Sequence, residues 1–233
     1  FPQANTSQAI IDCFQKAVEK LKIKVFTNHG VNSVSHQENK WIINTKSQVF
    51  EADKLVIAAG SSKKVWQLCE SLDHAIIAPV PSLFTFNIND KRLLDLLGTS
   101  VPNATVKISN TKLEASGPLL ITHWGMSGPA VLKLSAFGAR ILADKNYQYN
   151  VEVNWVSRPT AKVLNVLLNL KKKEPRKTVI LKSPFTEISK RLWERFVGAS
   201  EIKSTQNWAD LNNYQLENLA NQLTKGVFNA NGR

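Results

Sequence analysis

Glycine is scarce in this 233-residue chain: ten residues, about 4 % against a usual ~7 %, with no Gly-x-Gly anywhere. That excludes a Gly-x-Gly-x-x-Gly phosphate loop within these residues, because its tight turn and close backbone approach need those glycines. Cysteine is scarcer: Cys13 and Cys69 are the only two. They are too few for a thiolate metal site, and each lies in an amphipathic helical stretch, which predicts buried thiols in a reducing compartment rather than a disulfide. No run reaches the roughly 18 to 20 apolar residues that cross a bilayer, and no charged-then-apolar signal opens the chain. The expectation is a cytoplasmic chain with no membrane partner. Internal repeats and low-complexity tracts are also missing.

What is present is ordinary for a globular chain: 43 % hydrophobic and 21 % charged residues, enough for one large domain or two to three small ones. The net charge of +12 invites a nucleic-acid reading. Its densest run, Lys171-Lys172-Lys173 with Arg176 and Lys177, falls where a helix should end, and there cations suit the helix dipole and solvent. The six tryptophans are scattered among elements rather than interleaved with Lys and Arg, which argues for core anchors over a stacking platform. The partner expected is therefore a small-molecule substrate rather than nucleic acid. His29, His36 and His74 have no metal-ligand spacing, so no metal is expected.

Along the chain, Asn5-Thr6-Ser7 offers capping oxygens to a helix with Ile10, Phe14, Val18 and Leu21 on one face. Strands follow at Lys24–Thr27, Val31–Ser35, Lys40–Thr45 and Gln48–Glu51, an antiparallel meander. Lys54–Gly60 is a continuous apolar run ending in glycine, which predicts a strand buried on both faces. Ser62 caps a helix through Leu72, and Pro79-Val80-Pro81 forbids helix and marks a boundary. From Leu83 the period becomes two, with Phe84, Phe86 and Ile88, then Val106 and Ile108, then Val151, Val153 and Trp155 on strand faces: a sheet or barrel. Pro159 closes that part, and helices are predicted at Ala161–Leu170, Ser183–Val197 (Pro184 in its first turn) and Asn213–Lys225.

The segment Leu119 to Leu132 reads as an apolar strand, a tight glycine turn and a helix opening at Ser127 to Pro129. The helix's free amides can face an anion or oxyanion, Gly125 and Gly128 can admit a ligand to the backbone, and His123 can exchange a proton. A capped strand-to-helix turn with a packed histidine explains the same spacing.

The pattern Thr-His-x-Gly-x-Ser-Gly-Pro-x-x-Leu, here Thr122 to Leu132, resembles the bacterial FAD-dependent oxidoreductases of the YhiN and BaiN type, which include reductases of dehydro-bile acids. The likeness extends to Phe1-Pro2, Ala52 to Gly60, Pro79 to Leu83 and Phe228 to Gly232. It implies a mixed α/β fold: part of a Rossmann-like FAD-binding domain (1–78), an inserted β-barrel-like domain (79–157), a helical domain (158–226) and a return toward the FAD domain (227–233). It also implies an upstream Gly-x-Gly-x-x-Gly loop and a downstream flavin-site segment. Neither occurs here, so the chain is expected to be an internal segment that holds no FAD by itself.

On matching positions the resemblance implies cofactor contacts at Val31, Ala59, Gly60, Gly125 and Gly128, with His123 and Ser127 as catalytic candidates. After Gly60 the chain departs from the family's Gly-rich loop: Ser61-Ser62-Lys63-Lys64 runs straight into a helix. The parent implied is a flavoprotein passing hydride between NAD(P)H, FAD and an unsaturated organic substrate. The alternative is a basic module that binds RNA or an acidic partner without redox chemistry.

Overall fold

The computed structural model describes residues 2–233; Phe1 lies outside the described residues. The chain divides into two compact units, one ending at Ala78 and the other running Pro79–Arg233.

In the first unit, helix α1 (Ser7–Lys20) ends where Lys22 turns left-handed at φ 53° and Ile23 N–H reaches back to the Val18 carbonyl. Strands β1 (Val31–Gln37), β2 (Lys40–Thr45) and β3 (Val49–Ala52) form the antiparallel meander, and helix α2 (Lys63–Glu70) follows. Among this unit's described large apolar residues, only the cross-strand pair Val34 and Ile43 is buried. The amphipathic face of α1 stays open, with Ile10, Phe14 and Leu21 exposed.

Three expectations are corrected in this unit. Lys24–Thr27 forms no strand, and Val25 and Phe26 are exposed. Residues 54–60 form no strand either, and Val56 is 85 % exposed. A doubly buried strand needs a neighbour on each edge to take its N–H and C=O groups, and no described strand pairs with this run. The thiols are not buried: Cys13 is exposed and Cys69 half-buried, because each sits on a helix without a packed cover.

The second unit holds the core. Strands β4 (Phe86–Asn87), β5 (Ser100–Ile108), β6 (Glu114–Ile121), β7 (Gly125–Ser127), β8 (Gln148–Asn154) and β9 (Gly226–Asn231) make one antiparallel sheet in the order β4-β7-β6-β5-β8-β9. Its two edges meet: Asn87 N–H donates to the Gly232 carbonyl at 3.4 Å, so the sheet curls into a nearly closed barrel. Alternate residues fill the interior, including Val106, Ile108, Leu119, Ile121, Val151, Val153, Phe228 and Ala230, as the period of two requires. Phe86 and Tyr149 stack edge to face across the closure, centroids 5.3 Å apart. The segment 227–233, read from sequence as a return out of this domain, supplies the sixth strand beside β8.

Helices α3 (Pro129–Phe137) and α4 (Ala139–Asp144) follow β7; α5 (Thr160–Lys173), α6 (Lys190–Ala199) and α7 (Asn213–Thr224) form the helical layer. Leu167, Leu192, Phe196, Leu219 and Leu223 are fully buried there, each worth about 1.5–3 kcal/mol of transfer free energy. Trp155 packs against Phe196 at 5.4 Å and Phe228 at 5.8 Å, joining barrel to helices. Helix α6 begins later than its sequence suggests: Ser189 is the N-cap, its hydroxyl accepting from Leu192 N–H, and Pro184 lies in the preceding turn. Helix α7 opens with a full capping box, Asn212 and Gln215 bonding each other's backbone N–H.

Candidate functional site

The singled-out segment runs from β6 through a tight hairpin turn into the short strand β7, and helix α3 then opens at Pro129 behind Gly128, within the expected range. Strand β7 lies between β6 and β4, pairing Met126 with Ile121 on one side and Phe86 on the other. Thr122 and Gly125 close the turn through Thr122 N–H to the Gly125 carbonyl at 2.8 Å. His123 and Trp124 are thereby left at the tip, where both are exposed, Trp124 by 71 %. Among the described residues the His123 imidazole has no hydrogen-bond partner, so both ring nitrogens are available. Ser127 is a strand residue paired with Leu120, not the first turn of a helix.

Packing by itself dictates both glycines. A Cβ on Gly125, at φ 141°, would stand 2.4 Å from the Phe86 carbonyl oxygen and 2.5 Å from Ile88 N. One on Gly128, at φ 95°, would stand 2.8 Å from the Pro118 carbonyl oxygen. The chain's own backbone takes the space that the sequence reading reserved for a ligand. Pro129 follows Gly128 at the first position of α3, and the buried Ala130 next to it faces Gly117 of β6.

A cleft of about 270 Å³ opens beside the hairpin tip, between it, β4 with the residues that follow, and the end of β9. His123, Trp124, Asn87, Asn89, Asp90 and Asn231 supply its polar and aromatic lining. Of the sequence candidates it holds His123 and Gly125; Ser127 and Gly128 lie outside it. Val31, Ala59 and Gly60 belong to the first unit. Val31 opens β1 half-buried, while Ala59 and Gly60 are exposed, Gly60 at φ 62° with no atom within 4 Å of where a Cβ would stand.

Asp90 and Arg92 were not foreseen. Burial by itself would raise the Asp90 pKa; hydrogen bonds from Arg92, side chain and backbone, with its charge, outweigh that and hold the carboxyl below its ordinary range. The guanidinium bonds both carboxylate oxygens, at 2.9 and 2.7 Å, and also Gln222 Oε1 at 2.7 Å and the Val227 carbonyl. The pair thus anchors the cleft wall to α7 and β9. Asp-x-Arg is too common a spacing to signal this from sequence, because the partners lie some 130 residues downstream.

A nearly closed antiparallel barrel covered by a three-helix layer, with a His–Trp hairpin beside a polar cleft, defines a domain of barrel-plus-helix class. Residues 80–233 match the HI0933-like protein barrel and H2TH domain, and the chain belongs to that family.

Among curated proteins, the chain is 22 % identical over 154 residues to the 3-dehydro-bile acid delta(4,6)-reductase of Clostridium scindens, covering 62 % of this chain and 38 % of that protein. It is 26 % identical over 145 residues to the ribosomal RNA dihydrouridine synthase of Haemophilus influenzae, covering 56 % and 36 %. The Escherichia coli protein of the same name is 27 % identical over 145 residues, covering 57 % and 36 %. The chain therefore spans little more than a third of the length of these relatives. The family and the reductase relative together support a flavoprotein oxidoreductase-like origin.

No helix among the described residues is long and apolar enough to cross a membrane.

Proposed function

We propose that this chain is the substrate-handling part of a flavin-dependent reductase that adds two hydrogens across a conjugated carbon–carbon double bond. The observation that carries the reading is the His123–Trp124 tip, whose side chains are exposed and without hydrogen-bond partners among the described residues at the mouth of a polar cleft, on a chain whose relatives include a reductase and two dihydrouridine synthases. FAD, when bound, supplies hydride transfer from reduced nicotinamide to the substrate.

The fit to FAD is partial. Gly60 has the open, left-handed backbone that a close ligand approach needs, whereas no Gly-x-Gly turn is available to cradle a pyrophosphate. Val31, Ala59 and Gly60 are the residues assigned to the cofactor, and Gly125 and Gly128 are assigned to shaping the hairpin.

Reduction breaks the π bond and forms two C–H bonds, one from hydride and one from a proton. His123 is assigned the proton, Trp124 offers a flat apolar face to an unsaturated ring, and Asn89 and Asn231 offer amides to a carbonyl. Ser127 lies outside the cleft and is assigned a structural role.

Two substrate classes come from the relatives' names, a steroid acid and ribosomal RNA. Charge favours RNA: Pro79–Arg233 holds 21 of the 30 Lys and Arg and 11 of the 18 Asp and Glu, a net +10 of the chain's +12.

The test is the full-length protein that carries this chain, purified and scanned for flavin bands near about 370 and 450 nm. Bands bleached by reduced nicotinamide, with His123→Ala leaving the bleaching intact but slowing substrate reduction about 100-fold, support the reading. A colourless protein that takes up no added FAD removes it in favour of a basic binding module.

A further inference from the structure

Tertiary structure gathers five of the second unit's 21 Lys and Arg into one place. The turn after α5, residues 174–178, lies against the turn 203–207, held by Trp208 N–H to the Lys177 carbonyl, Ala209 N–H to the Pro175 carbonyl and Val179 N–H to the Gln206 carbonyl, all at 3.0 Å. The Thr178 hydroxyl adds a bond to Asn207 Oδ1 at 3.2 Å. Lys203, remote in sequence, is thereby brought to the end of α5 that carries Lys172, Lys173, Arg176 and Lys177. All five are exposed. Only Lys177 has a carboxylate within ion-pair distance among the described residues, Glu174 at 3.0 Å.

Unneutralised cations on a backbone laced this firmly lose little backbone freedom when a polyanion docks. The surface is also poor in what protein partners need: Leu181 is the one exposed large apolar side chain in residues 171–182 and 203–210. Protein interfaces are depleted in Lys and built around apolar or aromatic centres, whereas nucleic-acid phosphates need clustered cations and no apolar core.

We infer that Lys172, Lys173, Arg176, Lys177 and Lys203 form a platform that grips the phosphate backbone of the RNA; this rests on the RNA-substrate reading above. The platform positions the strand without reading its sequence, and base recognition is left to the hairpin cleft.

The test uses the full-length protein and a fluorescently labelled RNA stem-loop, followed by anisotropy across salt, with polyglutamate as competitor. The wild type should bind RNA and weaken steeply between about 50 and 200 mM salt. Reversing Lys172, Lys173, Arg176 and Lys203 to Glu should weaken binding at least about tenfold and flatten the log–log salt slope by roughly 3. A control with the same charge change on exposed Lys16, Lys20, Lys22 and Lys24 should bind within about twofold of wild type, if location rather than net charge matters. Circular dichroism confirms that both variants fold. Equal binding by the two variants overturns the platform while leaving RNA as substrate. Loss of RNA binding by the wild type removes the RNA reading and the platform with it. Polyglutamate competing as well as RNA also overturns the proposal, since the surface would then hold any polyanion.

Discussion

The guanidinium of Arg92 lies over the ring of Phe228, 3.9 Å from its centroid, while the same group bonds Asp90 through two oxygens. One side chain therefore fastens the residues after β4 to β9, the strand that closes the barrel. Both members of the Asp90–Arg92 pair are mostly shielded, with side chains 23 % and 16 % exposed.

Arg92→Ala should cost about 3 kcal/mol in urea unfolding, because it leaves the Asp90 carboxylate without its partner as well as removing the stack. Arg92→Lys should recover only part, since an ammonium cannot reproduce the two-pronged geometry. Equal stability of Arg92→Ala and wild type would show the anchor to be idle.

Acid should act through the same pair. The Asp90 pKa is lowered in the folded protein, so below the ordinary carboxylate range the unfolded chain binds the proton more readily than the fold does. The stability this carboxylate contributes is present above about pH 4 and is lost as pH falls through its lowered folded value. Asp90→Asn should flatten that acid limb, read as unfolding midpoint against pH; an unchanged limb would assign it to other carboxylates.

Two glycines should answer an added methyl in opposite ways. Gly125→Ala forces a Cβ to within 2.4 Å of the Phe86 carbonyl oxygen and should cost about 3 kcal/mol or more, opening β7 from β4. Gly198→Ala, in α6 with nothing within 4 Å, should stabilise by about 0.5–1 kcal/mol through helix propensity. Thermal unfolding of both variants checks the pair.

Two buried tryptophans differ in the indole N–H. Trp193 Nε1 donates to the Val179 carbonyl at 2.9 Å, whereas Trp155 Nε1 has no partner among the described residues. Trp193→Phe should therefore cost about 1–2 kcal/mol more than Trp155→Phe, by leaving a buried carbonyl unpaired. A reversed order in chemical denaturation would mean that the Trp155 N–H is satisfied after all.

Much of the fold was legible because local periodicity reports directly on burial. The alternation of Val106 with Ile108 and of Val151 with Val153 and Trp155 placed strand faces correctly, and all five are fully buried. Helices α5 and α7 fall within a few residues of their expected ends. The candidate site was half legible: Thr122 to Leu132 was singled out, and His123 does reach a cleft, but nothing in the sequence tied Asn89, Asp90 and Asn231 to it.

The sequence by itself determined the strand faces of β5 and β8 and the helices α5 and α7, since side-chain period is a local property. It also determined the hairpin's two glycines. Tertiary structure alone decided that Gly226–Asn231 closes the barrel, that the apolar run 54–60 has no strand beside it, and that Lys203 joins the cations at the end of α5. Each of these depends on which distant backbone groups find each other, and hydrogen-bond pairing across many tens of residues leaves no period in the sequence to be read.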